Sequence, residues 1–132
     1  MARAPGRPSY DRSMPTRSGS GFGDLEVTRA ETLARHQRGE IQLVDVRESY
    51  EYEAGRIAGA RHVWLADLAA QAADLDPERP IVFYCRVGAR SAMAAQAFRR
   101  AGYDAWSMAG GLDAWAQEGL ALEPEDGTVA AH

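Results

Sequence analysis

Pro80-Ile81-Val82-Phe83-Tyr84-Cys85-Arg86-Val87-Gly88-Ala89-Arg90-Ser91 passes from an apolar, β-branched and aromatic run into a loop holding two arginines and a glycine. Ala92 to Arg100, rich in helix formers, follows directly. The pattern predicts a buried strand, a short loop and a helix, with Cys85 at the strand's end. Free N–H groups at a helix N-terminus, together with fixed positive charge, stabilise a thiolate and any anion it attacks or carries. Cys85 is the only cysteine of the chain. An intramolecular disulfide, a Cys-x-x-Cys redox pair and a multi-cysteine metal site are therefore excluded. A lone cysteine after an apolar strand can also be a small buried hydrophobe. The two arginines within five residues, Gly88 and the strand–loop–helix setting favour a reactive thiol.

The same alternation extends on both sides. Leu25-Glu26-Val27 reads as a short strand, and Thr28 caps a helix through Arg38 with Glu31 completing a capping box. Gly39 stops it. Ile41 to Val46 is a second strand, Ser49 to Ala54 a short helix ended by Gly55, and Ala60 to Trp64 a third strand. Ala66 to Ala73 is helical and stops before Pro77 and Pro80. Ile81 to Tyr84 is the fourth strand, followed by a helix from Ser91 to Ala101 that Gly102 stops. Tyr103 to Met108 is a fifth strand, Gly110-Gly111 a turn, and Leu112 to Glu118 a last helix before Gly119. Strands joined by helices in this order imply a single α/β domain: a mostly parallel five-stranded sheet with helices on both faces. Ligands of such folds bind at the carboxyl ends of the strands, where Cys85 lies.

That domain is expected over residues 24–122. Met1 to Gly23 carries Pro5, Pro8 and Pro15, and Arg3, Arg7, Arg12 and Arg17 against the single acid Asp11. With so few large apolar residues it reads as a disordered arm. An organellar transit peptide shares its arginine-rich composition, but the scattered prolines oppose an amphipathic helix. Glu123 to His132 reads as a loose tail, with Glu123 and Glu125 solvated.

A length of 132 residues suits one domain, and 45% hydrophobic residues suffice for one compact core. A net charge of −4 argues against a nucleic-acid binder, whose domain should be basic. All fifteen basic residues are arginine, which a coding bias also produces. No run approaches the roughly 18 apolar residues of a membrane span, and no signal-peptide core is present. One cysteine is consistent with a reducing compartment, so the expected location is the cytoplasm, with neither nucleic acid nor membrane as partner.

Four segments, in order, resemble the rhodanese family of sulfurtransferases. Asp45-Val46-Arg47-Glu48 resembles its Asp-Val-Arg signature. Glu51-Tyr52 with Gly55-Arg56-Ile57-Ala58-Gly59-Ala60 resembles Glu-Tyr-x-x-Gly-His-Ile-Pro-Gly-Ala, with Arg56 and Ala58 departing from it. Tyr84 to Ser91 resembles the active-site loop, and Gly110-Gly111-Leu112-Asp113-Ala114-Trp115 the closing Gly-Gly-x-x-x-Trp. The resemblance runs from about Leu25 to Leu120. It implies that Cys85 takes a sulfane sulfur from a small anionic donor such as thiosulfate, carries it as a persulfide, and passes it to cyanide or a thiol, a protein thiol included. It implies no cofactor.

Within that frame Arg86, Val87, Gly88, Ala89, Arg90 and Ser91 bind the substrate. Arg86 and Arg90 are expected to ionise the thiol and hold the outgoing anion. Loop N–H groups point at the persulfide, Gly88 permits the turn, and Ser91 caps the next helix. Asp45, Arg47 and Glu51 read as structural support, with Arg47 paired to Glu51 or Asp45, because buried charges survive mainly when paired. His62 could be a base but reads as an ordinary strand residue. Trp64, Trp106 and Trp115 read as packing. Two other classes stay open. One is a Cys-x4-Arg phosphatase or arsenate reductase, although tyrosine phosphatases use a loop one residue longer. The other is a non-catalytic module that binds a partner, against which the intact Cys85 speaks.

Overall fold

Four consecutive apolar residues, Ile81-Val82-Phe83-Tyr84, need cover on both faces, and all four are buried. They form the central strand of the sheet. The computed structural model describes residues 23–132. Its elements are β1 (Glu26–Val27), α1 (Arg29–Gln37), β2 (Gln42–Asp45), α2 (Ser49–Ala54), β3 (Arg61–His62), α3 (Leu68–Gln71), β4 (Ile81–Tyr84), α4 (Ala89–Arg100), β5 (Ala105–Met108) and α5 (Gly111–Gln117). The strands lie in the order β1-β5-β4-β2-β3 and every neighbouring pair is parallel. The α/β architecture expected from the alternation is the one observed, and among the described residues the sheet has no antiparallel strand.

Side chains of a strand alternate between its faces. Ile81, Phe83 and Cys85 accordingly join Val44, Val46, Ala94, Ala95 and Phe98 in one core cluster. Val82 and Tyr84 join Leu43, Trp106, Met108, Leu112 and Trp115 in the other. Cys85 thus continues the strand's inward alternation one residue past its end.

Several boundaries differ from expectation. The helix expected over 66–73 is a 3-10 turn (Leu65–Asp67), the single turn α3, and a second 3-10 turn (Ala72–Asp74). Only Leu68 of that stretch is buried, so no apolar stripe holds a longer helix to the sheet. β3 shrinks to two residues. Trp64 lies beyond its end and is 45% exposed. It does not pack as expected, because Val63 takes the inward position. Trp106 and Trp115 are buried. α4 starts at Ala89, two residues earlier than expected, with Gly88 as its N-cap.

The tail expected to be loose over 123–132 is held to the domain. Arg56 and Glu123 exchange backbone hydrogen bonds of 3.0 and 2.7 Å. Thr128 N–H donates to Ala54 O and the Tyr50 hydroxyl to Ala131 O. Val129 packs against the second core cluster, an anchor too short to register as a periodic pattern. The arm expected over Met1 to Gly23 lies outside the described residues, except for Gly23, which opens a 3-10 turn (Gly23–Leu25). No helix among the described residues is long and apolar enough to cross a membrane.

Candidate active site

The chain leaves β4 at Cys85 and must turn into α4 within three residues. Gly88 makes that turn with φ +114°, a left-handed value that strains any side chain. The turn carries the Gly88 N–H to 3.1 Å from Cys85 Sγ and the Ser91 N–H to 3.4 Å. The Ser91 amide belongs to the first helical turn, where N–H groups lack an intrahelical partner. Of the amides expected to face the sulfur, those of Arg86 to Arg90, the Gly88 N–H does so, and the Ser91 N–H just beyond that stretch joins it. Residue Cys85 is 1% exposed, so the loop encloses the thiol.

Ser91 is not the cap that its position suggested, because the helix begins before it. Its hydroxyl turns inward instead. Ser91 Oγ lies 3.4 Å from Cys85 Sγ, 3.2 Å from Gly88 O and 2.7 Å from Ser107 Oγ on β5. Ser91 and Ser107 are fully buried. Ser107 was not singled out in the sequence, where a serine inside a short strand carries no signal.

α5 closes the back of the loop. Leu112 N–H donates to Cys85 O and Asp113 N–H to Arg86 O, both at 2.9 Å. A Cβ on Gly111 would lie 2.4 Å from Arg86 O. The Gly110-Gly111 pair is thus more than a turn: it lets a helix start touch the backbone of the loop around Cys85.

The two loop arginines differ. Arg90 makes a bidentate pair with Glu51, at 2.8 and 3.0 Å. Glu51 is fully buried, and its Oε1 also accepts from the Glu48 N–H in a capping box. Burial opposes the charge of Glu51, but Arg90 outweighs it and holds the carboxyl below the usual carboxylate range. The Glu51 bond likewise raises Arg90 against its partial burial, with a smaller electrostatic contribution from Cys85. Arg86 has only a looser contact, Nη1 to Asp113 Oδ2 at 3.5 Å. Its Nε is buried without a hydrogen-bond partner among the described residues. The sequence suggested equal roles. In the structure Arg90 is committed to a carboxylate, and Arg86 keeps donor capacity.

Arg47 pairs with Asp45, as Nε to Oδ1 at 2.9 Å and Nη2 to Oδ2 at 2.6 Å, and both are fully buried. Burial works against the Arg47 charge, and the Asp45 carboxylate outweighs it. Arg47 Nη2 also donates to Gly55 O, so the pair braces the connection from β2 through α2. Of the two expected partners of Arg47, Asp45 is the one used; Glu51 is given to Arg90. His62 Nε2 lies 2.7 Å from Arg47 O, and its ring stacks on Tyr52 at 4.4 Å. Those contacts fit His62 as an ordinary strand residue. Glu48, Glu51 and His132 bring their ligand atoms within 4.8 Å of one another. Both Glu51 oxygens already serve Arg90, so the cluster reads as an ion-pair network. An apolar hollow of about 280 Å³ lined by Ala69, Ala72, Phe98 and Tyr103 lies at the C-terminal end of α4, the end remote from Cys85.

Comparison with known proteins matches the sequence and the fold to a family. The sequence profile described as Rhodanese-like domain matches residues 28–118. An HTH-type transcriptional regulator of Mycobacterium tuberculosis is 41% identical over 109 residues, covering 80% of this chain and 47% of that protein. The chain thus spans about half the length of that relative. An uncharacterised Bacillus subtilis protein is 37% identical over 90 residues, covering 67% of this chain and 70% of that one. Among solved structures, a Lactobacillus plantarum protein superposes with a TM-score of 0.69 at 30% identity, covering 75% of this chain and 87% of that chain. A Rhodopseudomonas palustris protein, described as of unknown function and a possible tyrosine phosphatase, has a TM-score of 0.65 at 27% identity. It is covered over its full length, and 84% of this chain is matched.

Proposed function

The chain belongs to the rhodanese-like domain family, and from that premise we propose that it is a sulfurtransferase working through a Cys85 persulfide. The Cys85 thiolate attacks the outer sulfur of thiosulfate. A Cys85–sulfur bond forms, the sulfur–sulfur bond of the donor breaks, and its electron pair leaves with sulfite. Cyanide or a thiolate then attacks the outer sulfur of the persulfide, and the bonding pair returns to Cys85. Polysulfide, glutathione persulfide or a protein persulfide are equivalent donors in this scheme, and a protein thiol is an equivalent acceptor. The reaction needs no cofactor, and we place it in a reducing cytoplasm, where a single thiol stays reduced.

One observation carries the reading: the Gly88 and Ser91 N–H groups converge on Cys85 Sγ inside a loop with four residues between Cys85 and Arg90. Preorganised donors of this kind stabilise charge at the place where it develops. A ring this tight around a nearly enclosed sulfur suits the arrival of one further sulfur atom better than that of a phosphoryl group. Arg86, whose Nε is without a protein partner among the described residues, is the cation we assign to the anionic donor.

Intact-mass spectrometry after incubation with thiosulfate tests the proposal. The wild type should gain one sulfur, lose it on addition of cyanide with release of thiocyanate, and do neither as Cys85→Ser. An unchanged mass, with hydrolysis of an aryl phosphate in a parallel assay, would favour instead the phosphatase reading that the description of the Rhodopseudomonas protein raises.

A further inference from the structure

Three polar groups meet where a hydrophobic core is otherwise expected. Cys85 Sγ, Ser91 Oγ and Ser107 Oγ form a chain with links of 3.4 and 2.7 Å, and none of the three residues is more than 1% exposed. A buried hydroxyl without a partner is costly, so the direction of each bond in the chain is constrained. Each serine has one proton to give. The Ser91 hydroxyl has three acceptors in reach: Cys85 Sγ, Ser107 Oγ and Gly88 O.

We propose that Ser107 is a positioning residue for the Cys85 nucleophile: by donating to Ser91 Oγ, it turns the Ser91 proton onto the sulfur. This inference rests on the proposed role of Cys85 as nucleophile and deepens it. With Cys85 ionised, Ser107 donates to Ser91 and Ser91 donates to Sγ. The thiolate then accepts three hydrogen bonds, two from N–H groups and one from a hydroxyl. With Cys85 protonated, the chain reverses: the thiol donates to Ser91 Oγ, and Ser91 donates to Ser107. Once the sulfur carries a second sulfur, the negative charge moves outward and Sγ no longer needs the hydroxyl. Ser91 can then turn its proton to Gly88 O, 3.2 Å away. The serines keep their own protons in these rearrangements and change only the direction of donation; the one proton gained or lost is that of Cys85, exchanged with solvent. The hydroxyl pair thus follows the charge on Cys85 without moving the backbone.

Other charged groups around the thiol have separate anchors. Arg90 on α4 is tied to Glu51 on α2, Arg86 in the loop contacts Asp113 on α5, and Asp45 on β2 is tied to Arg47. On the neighbouring strand β1 the buried Glu26 stands in register with Ser107. Arg90, Arg86 and Asp45 make no hydrogen bond to Ser107, and Glu26 is unchanged in the variants, so the contribution of these groups should be common to the wild type and the serine variants.

The test compares the wild type with Ser107→Ala, Ser91→Ala and the double variant, reading the ultraviolet absorbance of the thiolate against pH on the intact chain. This readout does not depend on sulfur transfer, so failure of the sulfurtransferase reading would show separately in the mass experiment above. For Ser107→Ala the thiolate curve should move to higher pH by about half a unit to one unit, the size expected for one lost hydrogen bond. Ser91→Ala should move it at least as far. In the Ser91→Ala background, Ser107→Ala should add nothing, because its effect runs through Ser91. A purely structural role of Ser107 would persist in that background. Ser107→Thr keeps a hydroxyl in a strand and should restore the wild-type curve, which covers the case of an alanine variant that folds poorly. Superimposable curves for wild type and Ser107→Ala, or additive shifts in the double variant, would overturn the proposal.

Discussion

Arg86 and Arg90 sit four residues apart in one loop, yet their neighbours give them different work. Arg90 is locked to a carboxylate with no exposure, so removing its side chain leaves Glu51 buried and uncompensated. Breaking a buried pair in this way typically costs about 3–5 kcal/mol. Arg90→Ala should therefore lower the melting temperature markedly. Arg86 is partly exposed, and its contact with Asp113 is loose, so Arg86→Ala should leave the melt nearly unchanged. Its effect should fall on the anionic donor: kcat/KM for thiosulfate should drop roughly ten- to hundredfold, the size of one charge-assisted hydrogen bond. Arg86→Lys should recover part of that, lacking the planar fork. A wild-type kcat/KM for Arg86→Ala would remove Arg86 from the donor site. At the same scale, Asp45→Ala strands Arg47 with no exposure and should cost about 3–5 kcal/mol by thermal or denaturant unfolding.

Elements are joined at the site by their ends. α4 supplies N–H groups to the sulfur from the front, and α5 supplies N–H groups to the loop carbonyls from behind. The second contact depends on Gly111, which has φ +63° and space for no Cβ against Arg86 O. Gly111→Ala should push the first turn of α5 off the loop and stretch the bonds from Leu112 and Asp113. Left-handed strain alone costs on the order of 1–3 kcal/mol, and the clash adds to it. The expected result is a lower melting temperature together with a slower alkylation of Cys85 by iodoacetamide at neutral pH. Gly102→Ala is a useful control, since Gly102 is also left-handed but a Cβ there meets nothing within 4 Å. It should lower the melting temperature and leave the alkylation rate alone. Equal alkylation rates for Gly111→Ala and the wild type would show that α5 does not shape the loop.

Across the whole molecule, stability and site share the segment around α2. Glu51, in that helix, has its carboxyl held below the usual range. The unfolded chain therefore binds its proton first as the pH falls from about 4.3. The stability contributed by Glu51 is complete above that pH and is lost as the pH drops through the folded value. Melting temperatures measured from neutral to acid pH should show this loss, and Glu51→Gln should reduce the slope while lowering stability at neutral pH. The tail lies against the same region through Arg56–Glu123, Ala54–Thr128 and Tyr50–Ala131. Truncation after Leu122 should cost on the order of 1–3 kcal/mol, a few net hydrogen bonds less the ordering of the tail. An unchanged melting curve would mean that the tail contacts contribute nothing to the folded domain.

Local pattern was enough for much of this. The run Ile81 to Tyr84 can only be a strand covered on both faces, and the alternation of strands with helices leaves few choices but a parallel sheet. Cys85 at a strand end before a glycine and a helix is legible because strand, turn and helix each have a short-range signature. The four motif segments brought the family into view. Tertiary structure decided everything that depends on side chains distant in sequence. Glu51 takes Arg90 across 39 residues, Ser91 takes Ser107 across 16, and Glu123 pairs with Arg56. No periodicity marks such partners, because a polar side chain's choice depends on which acceptor the packed sheet leaves within reach. The sequence could therefore place the Cys85 sulfur, and only the fold could say which groups face it and which charges are already spent.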